Sequence, residues 1–242
     1  MKILGIIPAR LESTRLPRKA LREICGKPMV AWVYERAHLA KSLTRVTVAT
    51  DSREILSVCR ELGIPTVRTS AGHRSGTDRL VEVMDREPAD VYVNIQGDEP
   101  MVTPAHIDLL VRPFQRRPDT QVSTLKIRIK PEEARDPNVV KVVTDVEGRA
   151  LYFSRAVIPH DRDSTGRARW YKHLGLYAYR AEALRRFSTL KPSELEQTEK
   201  LEQLRFLENG ISIAVVETTQ DTIGVDTEED LKRVEEYFRK LT

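Results

Sequence analysis

Short apolar, β-branched runs alternate with amphipathic stretches along the first half of the chain. Ile3–Ile7, Arg45–Ala49, Pro65–Arg68 and Val91–Ile95 have the continuous hydrophobicity of strands buried on both faces of a parallel sheet. Helical periodicity fills the gaps between them. Met29, Val33, Ala37 and Ala40 share one face after Pro28, which suits a first helical position. Ile55, Val58, Cys59 and Leu62 form a second stripe, and Thr77-Asp78 precedes a third carrying Leu80, Val81 and Met84. Pro104 opens a fourth, reaching about Gln115.

The texture changes at Gln121. Val122–Ile129 and Val139–Thr144 read as strands around a turn-rich stretch holding Pro131, Pro137 and Asn138, and Asp145–Gly148 reads as a hairpin turn into Leu151–Phe153. Arg162–Arg169 is polar, and Leu174–Tyr179 returns as a strand. Leu195–Glu208 has the pattern of one amphipathic helix, Ile211–Glu217 that of a late strand, and Thr227 opens a capped final helix through Leu231, Val234 and Phe238. Strand–helix alternation predicts an α/β fold: a mainly parallel, Rossmann-like sheet with helices on both faces. The chain, 1–242, is expected to be one domain with a smaller antiparallel lobe inserted at about 121–180.

Composition narrows the partners. Lys and Arg exceed Asp and Glu by only 40 to 36, and the two signs are interspersed, which argues against a nucleic-acid surface. Between Arg10 and Lys27, however, six basic residues face two acidic ones. No apolar run approaches the roughly 18 residues of a membrane span. Pro8 and Arg10 cut the first apolar stretch too short for a secretory signal, and Cys25 and Cys59 lack metal-binding or redox spacing, so the cytoplasm is the expected location.

The first strand empties into Pro8-Ala9-Arg10-Leu11-Glu12-Ser13-Thr14-Arg15-Leu16-Pro17-Arg18-Lys19, a proline-stiffened loop whose Arg10, Arg15 and Lys19 are suited to phosphates. Neither a Walker loop nor a dinucleotide glycine fingerprint is present, which argues against a nicotinamide-dependent oxidoreductase. Asp98, after Gly97, follows the Val91–Ile95 strand at the sheet edge where α/β proteins bind ligands, and is a natural Mg²⁺ ligand. Asp226 offers a second carboxylate, although a residue preceding a helix also reads as an N-cap. His73–Arg79 reads equally as a capping turn or an anion-binding one. Arg155 and His173 lie in the middle region, where cations could grip a carboxylate substrate.

Read together and in order, these blocks resemble the 3-deoxy-manno-octulosonate (Kdo) cytidylyltransferases. The resemblance runs from Ile7–Arg10 and Ser13–Lys19 through Gly26–Met29, Val48–Asp51, Ser75–Thr77, Asn94–Pro100 and Pro137–Val143. It continues through Ala150–Arg155, His173–Gly175, Leu201–Arg205 and Gly224–Thr227. It implies a nucleotidyltransferase that joins CTP and Kdo into CMP-Kdo and pyrophosphate for lipopolysaccharide biosynthesis, with Mg²⁺, as a homodimer built through the smaller lobe. By resemblance, Arg10 and Lys19 contact the triphosphate with Arg15 close by, and Pro8, Ala9, Arg74 and Ser75 frame the cytosine. Asp98 and Asp226 hold Mg²⁺, and Gln96, Arg155, His173, Glu202 and Gln203 line the sugar-acid pocket. Arg10, Lys19 and Asp98 are the expected catalytic residues. Arg18 and Ala20 stand where the family usually has Gly and Pro, and Arg74 where Gln is common. An 8-amino-Kdo or sialic acid cytidylyltransferase, or a non-catalytic nucleotide-binding protein of the same fold, are the competing readings. The sialic acid family's Gly-Gly-Ser-Lys stretch is replaced here by Glu12-Ser13-Thr14-Arg15.

Overall fold

A computed structural model describes residues 1–13, 15–73, 75–163 and 166–240 and divides the chain into two compact units, Met1–Asp108 with the segment from Thr222 onward, and Leu109–Asp221. In the first unit, β1 (Ile3–Ala9) leads through a 3₁₀ turn (Lys19–Leu21) to the small hairpin of β2 (Glu23–Ile24) and β3 (Lys27–Pro28). Then follow α1 (Met29–His38), β4 (Arg45–Thr50), α2 (Arg53–Glu61), β5 (Thr66–Arg68), α3 (Gly76–Arg86), β6 (Val91–Asn94) and α4 (Pro104–Arg116). β1 pairs in parallel with both β4 and β6, and β4 with β5. The sheet is therefore ordered β6-β1-β4-β5, with its carboxyl ends along one edge. Ile3, Leu4, Ile6 and Ile7 are buried, as are Val91, Tyr92 and Val93, which is why these strands were legible as unbroken apolar runs.

Two helix starts differ from expectation. Pro28 belongs to the hairpin, opposite Glu23, so α1 begins one residue later. The third helix begins at Gly76 because Ser75 caps it: its Oγ accepts the Asp78 N–H while the Asp78 carboxylate accepts the Ser75 N–H, which draws Thr77 and Asp78 into the first turn.

The second unit comprises β7 (Val122–Ile129), the short α5 (Pro131–Ala134), β8 (Lys141–Thr144), β9 (Ala150–Ser154), β10 (Trp170–Arg180), α6 (Ala181–Thr189), α7 (Glu194–Glu199), α8 (Leu204–Glu208) and β11 (Ile213–Thr218). β7 lies between β11, parallel to it, and β10, antiparallel. β8 and β9 form the expected hairpin, its turn closed by the Asp145 and Gly148 amides. Antiparallel pairing thus joins β7, β8, β9 and β10 within the second unit. The β7–β10 register shifts between Leu174 and Tyr177, a bulge around Gly175.

The single helix expected over Leu195–Glu208 is two. Lys200 adopts a left-handed φ of 56° and ends α7, and the chain re-enters helix at Leu204. Burial of Leu201, Leu204 and Phe206 outweighs the left-handed strain at a lysine. Among the described residues, no helix is long and apolar enough to cross a membrane.

The final helix, α9 (Glu228–Arg239), returns to the first unit, where its capping box joins Thr227 and Asp230. It buries Leu231, Val234 and Phe238 against Leu16, Ile24, Met29 and Val225. The Phe238 ring lies 4.3 Å from that of Trp32. Leu16, in the middle of the cationic loop, is fully buried in this cluster, so α9 backs the loop. Truncating Phe238 to Ala is expected to cost about 3–5 kcal/mol by denaturant unfolding. A loss below about 1 kcal/mol would show that the cluster does not hold α9.

Candidate functional site

The carboxyl ends of β1 and β6 open onto a cleft of about 470 Å³. Of the residues singled out from the sequence, Pro8, Ala9, Arg10, Arg15, Lys19, Ser75, Gln96, Asp98 and Asp226 all line it. Arg74, expected beside them, lies outside the described residues. A larger cleft, about 960 Å³, shares Arg10, Glu12 and Ser13 with it and extends to the end of β4 at Asp51.

Lys19 organises the floor. Its Nζ donates to Asp98 Oδ2 at 2.5 Å and to Asp226 Oδ1 at 2.9 Å, and Arg15 reaches the other Asp226 oxygen at 2.9 Å. Burial works against the Lys19 charge, yet the adjacent Asp98 and Asp226 carboxylates outweigh it and raise the ammonium pKa above its ordinary value. While both carboxylates are ionised, the pairing stabilises the fold below the ordinary lysine pKa, and its contribution is lost as pH climbs through the raised one.

Main-chain geometry sets both carboxylates. Gln96–Glu99 is a turn closed by the Glu99 N–H on the Gln96 carbonyl, and the Val225 N–H donates to the Asp98 carbonyl at 2.8 Å. Thr227 occupies the N-cap of α9. That resolves the ambiguity at Asp226: its side chain is released from capping and turns to Lys19 and Arg15. Gly97 is required by close approach, because a Cβ there would stand 2.7 Å from the Pro8 carbonyl oxygen. Arg18 enters the 3₁₀ turn at φ 57°, in the left-handed region that favours glycine, and its side chain pairs with Glu54. Ser75 contributes to the cleft while its hydroxyl serves the α3 cap.

Asp98 and Asp226 direct hard oxygen donors at one shared cation, the Lys19 ammonium, and are the pair able to hold a divalent metal with ligand oxygens completing its shell. No cluster of three or more His, Cys, Asp or Glu side chains suited to a metal occurs among the described residues.

The other expected residues belong to the second unit. His173 is buried, its ring edge-on to Phe153 at 4.9 Å and 5.4 Å from Tyr177. Burial drives its pKa down to about 3, so the imidazole is neutral and offers hydrogen bonds rather than charge. The Thr124 hydroxyl has one proton and lies 2.8 Å from the Leu176 carbonyl. His173 Nε2, 3.0 Å from that oxygen, is then the protonated nitrogen, leaving Nδ1 as an acceptor. Arg155 donates from Nε to the Glu199 carbonyl at 2.9 Å and from Nη1 to the Pro137 carbonyl at 3.1 Å. Gln203 is buried at the N-cap of α8, and the Glu202 charge helps raise the Tyr177 phenol pKa, behind burial and Tyr179.

Tyr177 was not singled out from the sequence. Its buried hydroxyl has no hydrogen-bond partner among the described residues, and it sits beside His173 because the Gly175 bulge sets the two rings together. A tyrosine alternating into a strand carries no sequence signal that separates this environment from ordinary packing.

Known proteins resemble this chain over nearly its full length. A family model described as cytidylyltransferase matches residues 4–213. A 3-deoxy-manno-octulosonate cytidylyltransferase from Acidobacterium capsulatum is 57% identical over 238 residues, 98% of this chain and 97% of that protein. Its counterpart from Koribacter versatilis is 55% identical over 239 residues, covering 99% and 91%. A solved structure of CMP:2-keto-3-deoxy-manno-octonic acid synthetase complexed with CTP superposes with a TM-score of 0.97 at 43% identity, covering 100% of both chains. The chain belongs to the cytidylyltransferase family, and within it to the 3-deoxy-manno-octulosonate cytidylyltransferases.

Proposed function

We propose that the cleft of the first unit binds CTP and that the enzyme transfers its cytidylyl group to the anomeric hydroxyl of Kdo, releasing pyrophosphate. The observation that carries this reading is the convergence of Arg10, Arg15 and Lys19 with Asp98 and Asp226 in one cleft at the strand ends. Family membership supports the choice of both substrates. In the reaction the hydroxyl oxygen bonds to the α-phosphorus, the bond from that phosphorus to the bridging oxygen breaks, and pyrophosphate leaves with the electron pair. The hydroxyl proton passes to solvent.

Such transfers depend on positioning and charge neutralisation. Arg10 and Lys19 offset the charge that builds on the departing pyrophosphate, with Arg15 beside them. The Pro8 main chain, closely packed on Gly97, gives the base a rigid wall, with Ala9 and Ser75 lining the same cleft. Asp98 and Asp226 fit Mg²⁺, since both already hold one cation between them. When bound, Mg²⁺ neutralises phosphate charge and lowers the pKa of the attacking hydroxyl. In the second unit, Arg155 meets the sugar carboxylate, and neutral His173, with Glu202 and Gln203, hydrogen-bonds its hydroxyls. The family resemblance supports a homodimer built through the second unit. The free cysteines, Cys25 and Cys59, suit the reducing cytoplasm.

Pyrophosphate release with Mg²⁺, CTP and each of Kdo, 8-amino-Kdo and sialic acid tests the substrates. Release is expected with Kdo, and none with CTP and Kdo would overturn the reading. Asp98→Asn should lower kcat by about 10²-fold or more with an unchanged circular dichroism spectrum. A variant retaining full Mg²⁺-dependent turnover would remove Asp98 from the metal site. Lys19→Ala should lower kcat/KM for CTP by a similar factor, and a wild-type value would exclude Lys19 from the transfer. The His173 ring resonances should not titrate between pH 5 and 8; a midpoint near 6.5 would show a charged imidazole instead.

A further inference from the structure

Lys141 is the most deeply buried lysine of the second unit, with no exposed surface, and the residues assigned to phosphate or sugar do not include it. Its environment is specific. An ammonium has three N–H donors, and all three are spent on main-chain carbonyls: Asp136 at 2.9 Å, Val139 at 2.6 Å and Arg155 at 2.6 Å. The first two belong to the loop entering β8, and the third closes β9. One cation thus joins two chain segments that a hairpin alone leaves free to splay.

Arg155 is gripped from its other side as well. The Glu199 carboxylate accepts the Arg155 backbone N–H at 2.9 Å through one oxygen and the Ser154 hydroxyl at 2.5 Å through the other. The Arg155 side chain then leans on the Glu199 and Pro137 carbonyls through Nε and Nη1. Nη2 carries no hydrogen bond among the described residues and is the edge left for a carboxylate. The break in the helix at Lys200 matters here, because it brings Glu199 to the last turn of α7, where both its side chain and its carbonyl reach Arg155.

We propose that Lys141 and Glu199 are positioning residues for sugar-acid recognition: they clamp the Arg155 main chain from its carbonyl and its amide, and so aim the guanidinium at the substrate carboxylate. Burial of an ammonium is costly unless it is fully hydrogen-bonded, and an apolar side chain would fill the space at less expense. A lysine here is explained by what it holds. The inference rests on the reading of Arg155 as a sugar-acid residue.

Steady-state kinetics of Lys141→Met and Glu199→Gln, with Arg155→Gln alongside, separates the two. The expected result is a KM for Kdo raised roughly ten- to a hundredfold in both positioning variants. The KM for CTP and kcat should stay within about threefold. Parallel changes in both KM values and kcat, or no change in the KM for Kdo, would overturn the clamp. Should Lys141→Met fail to fold, Glu199→Gln, which keeps the side-chain volume and removes one acceptor, decides alone. If Arg155→Gln leaves the KM for Kdo at its wild-type value, the underlying reading of Arg155 has failed. If Arg155→Gln raises it and the other two do not, only the clamp has failed.

Discussion

The first unit depends on one cation held between two carboxylates. Lys19 lies ten residues beyond β1, Asp98 follows β6, and Asp226 precedes α9; none of these segments is adjacent in sequence. Like charges on Asp98 and Asp226 would repel across the cleft floor without the ammonium between them. The main-chain bond from Val225 to Asp98 and the burial of Leu16 and Val225 in one apolar cluster fix the same three segments from behind. The cleft floor is therefore ordered by contacts among three segments, the kind of preorganisation under which electrostatic stabilisation is effective.

The two units solve recognition with different chemistry. The first presents full charges on partly exposed side chains, the chemistry on which the proposed triphosphate site rests. Among the described residues, the second presents one guanidinium with a free edge, a neutral imidazole and an unpartnered buried phenol. A sugar acid carries one carboxylate and many hydroxyls. On the proposed reading of these residues as the sugar-acid site, one positive group and several uncharged hydrogen-bonding groups match that composition, whereas a charged His173 would not survive its aromatic enclosure.

Much of this could be read along the chain, for physical reasons. Strands buried on both faces announce themselves as contiguous apolar runs, and β1, β4, β6 and β7 fall within two residues of where the pattern puts them. The order of the motifs named the cleft residues, and they converge. Periodicity failed at Lys200, because a left-handed lysine is set by what packs around it and not by local preference. It also missed α6, whose apolar face consists of only Ala183, Leu184 and Phe187. The charge state of His173 and the orphaned hydroxyl of Tyr177 depend on burial by residues distant in sequence, and no local pattern encodes them. Asp226 lay between these cases: its position before a helix was visible, but only the capping geometry of Thr227 shows which neighbour does the capping.

The cationic loop is fastened unequally on its two sides. Inward it is anchored by Leu16 in an apolar cluster, which charge screening does not weaken. Outward, Arg15, Arg18 and Arg22 reach Asp226, Glu54 and Glu228 through pairs that water and counterions touch freely. Such pairs weaken once the screening length shrinks to several ångströms. Ionic strength thus acts on one side of this loop: it slackens the exposed ion pairs of the rim while the apolar anchor at Leu16 holds.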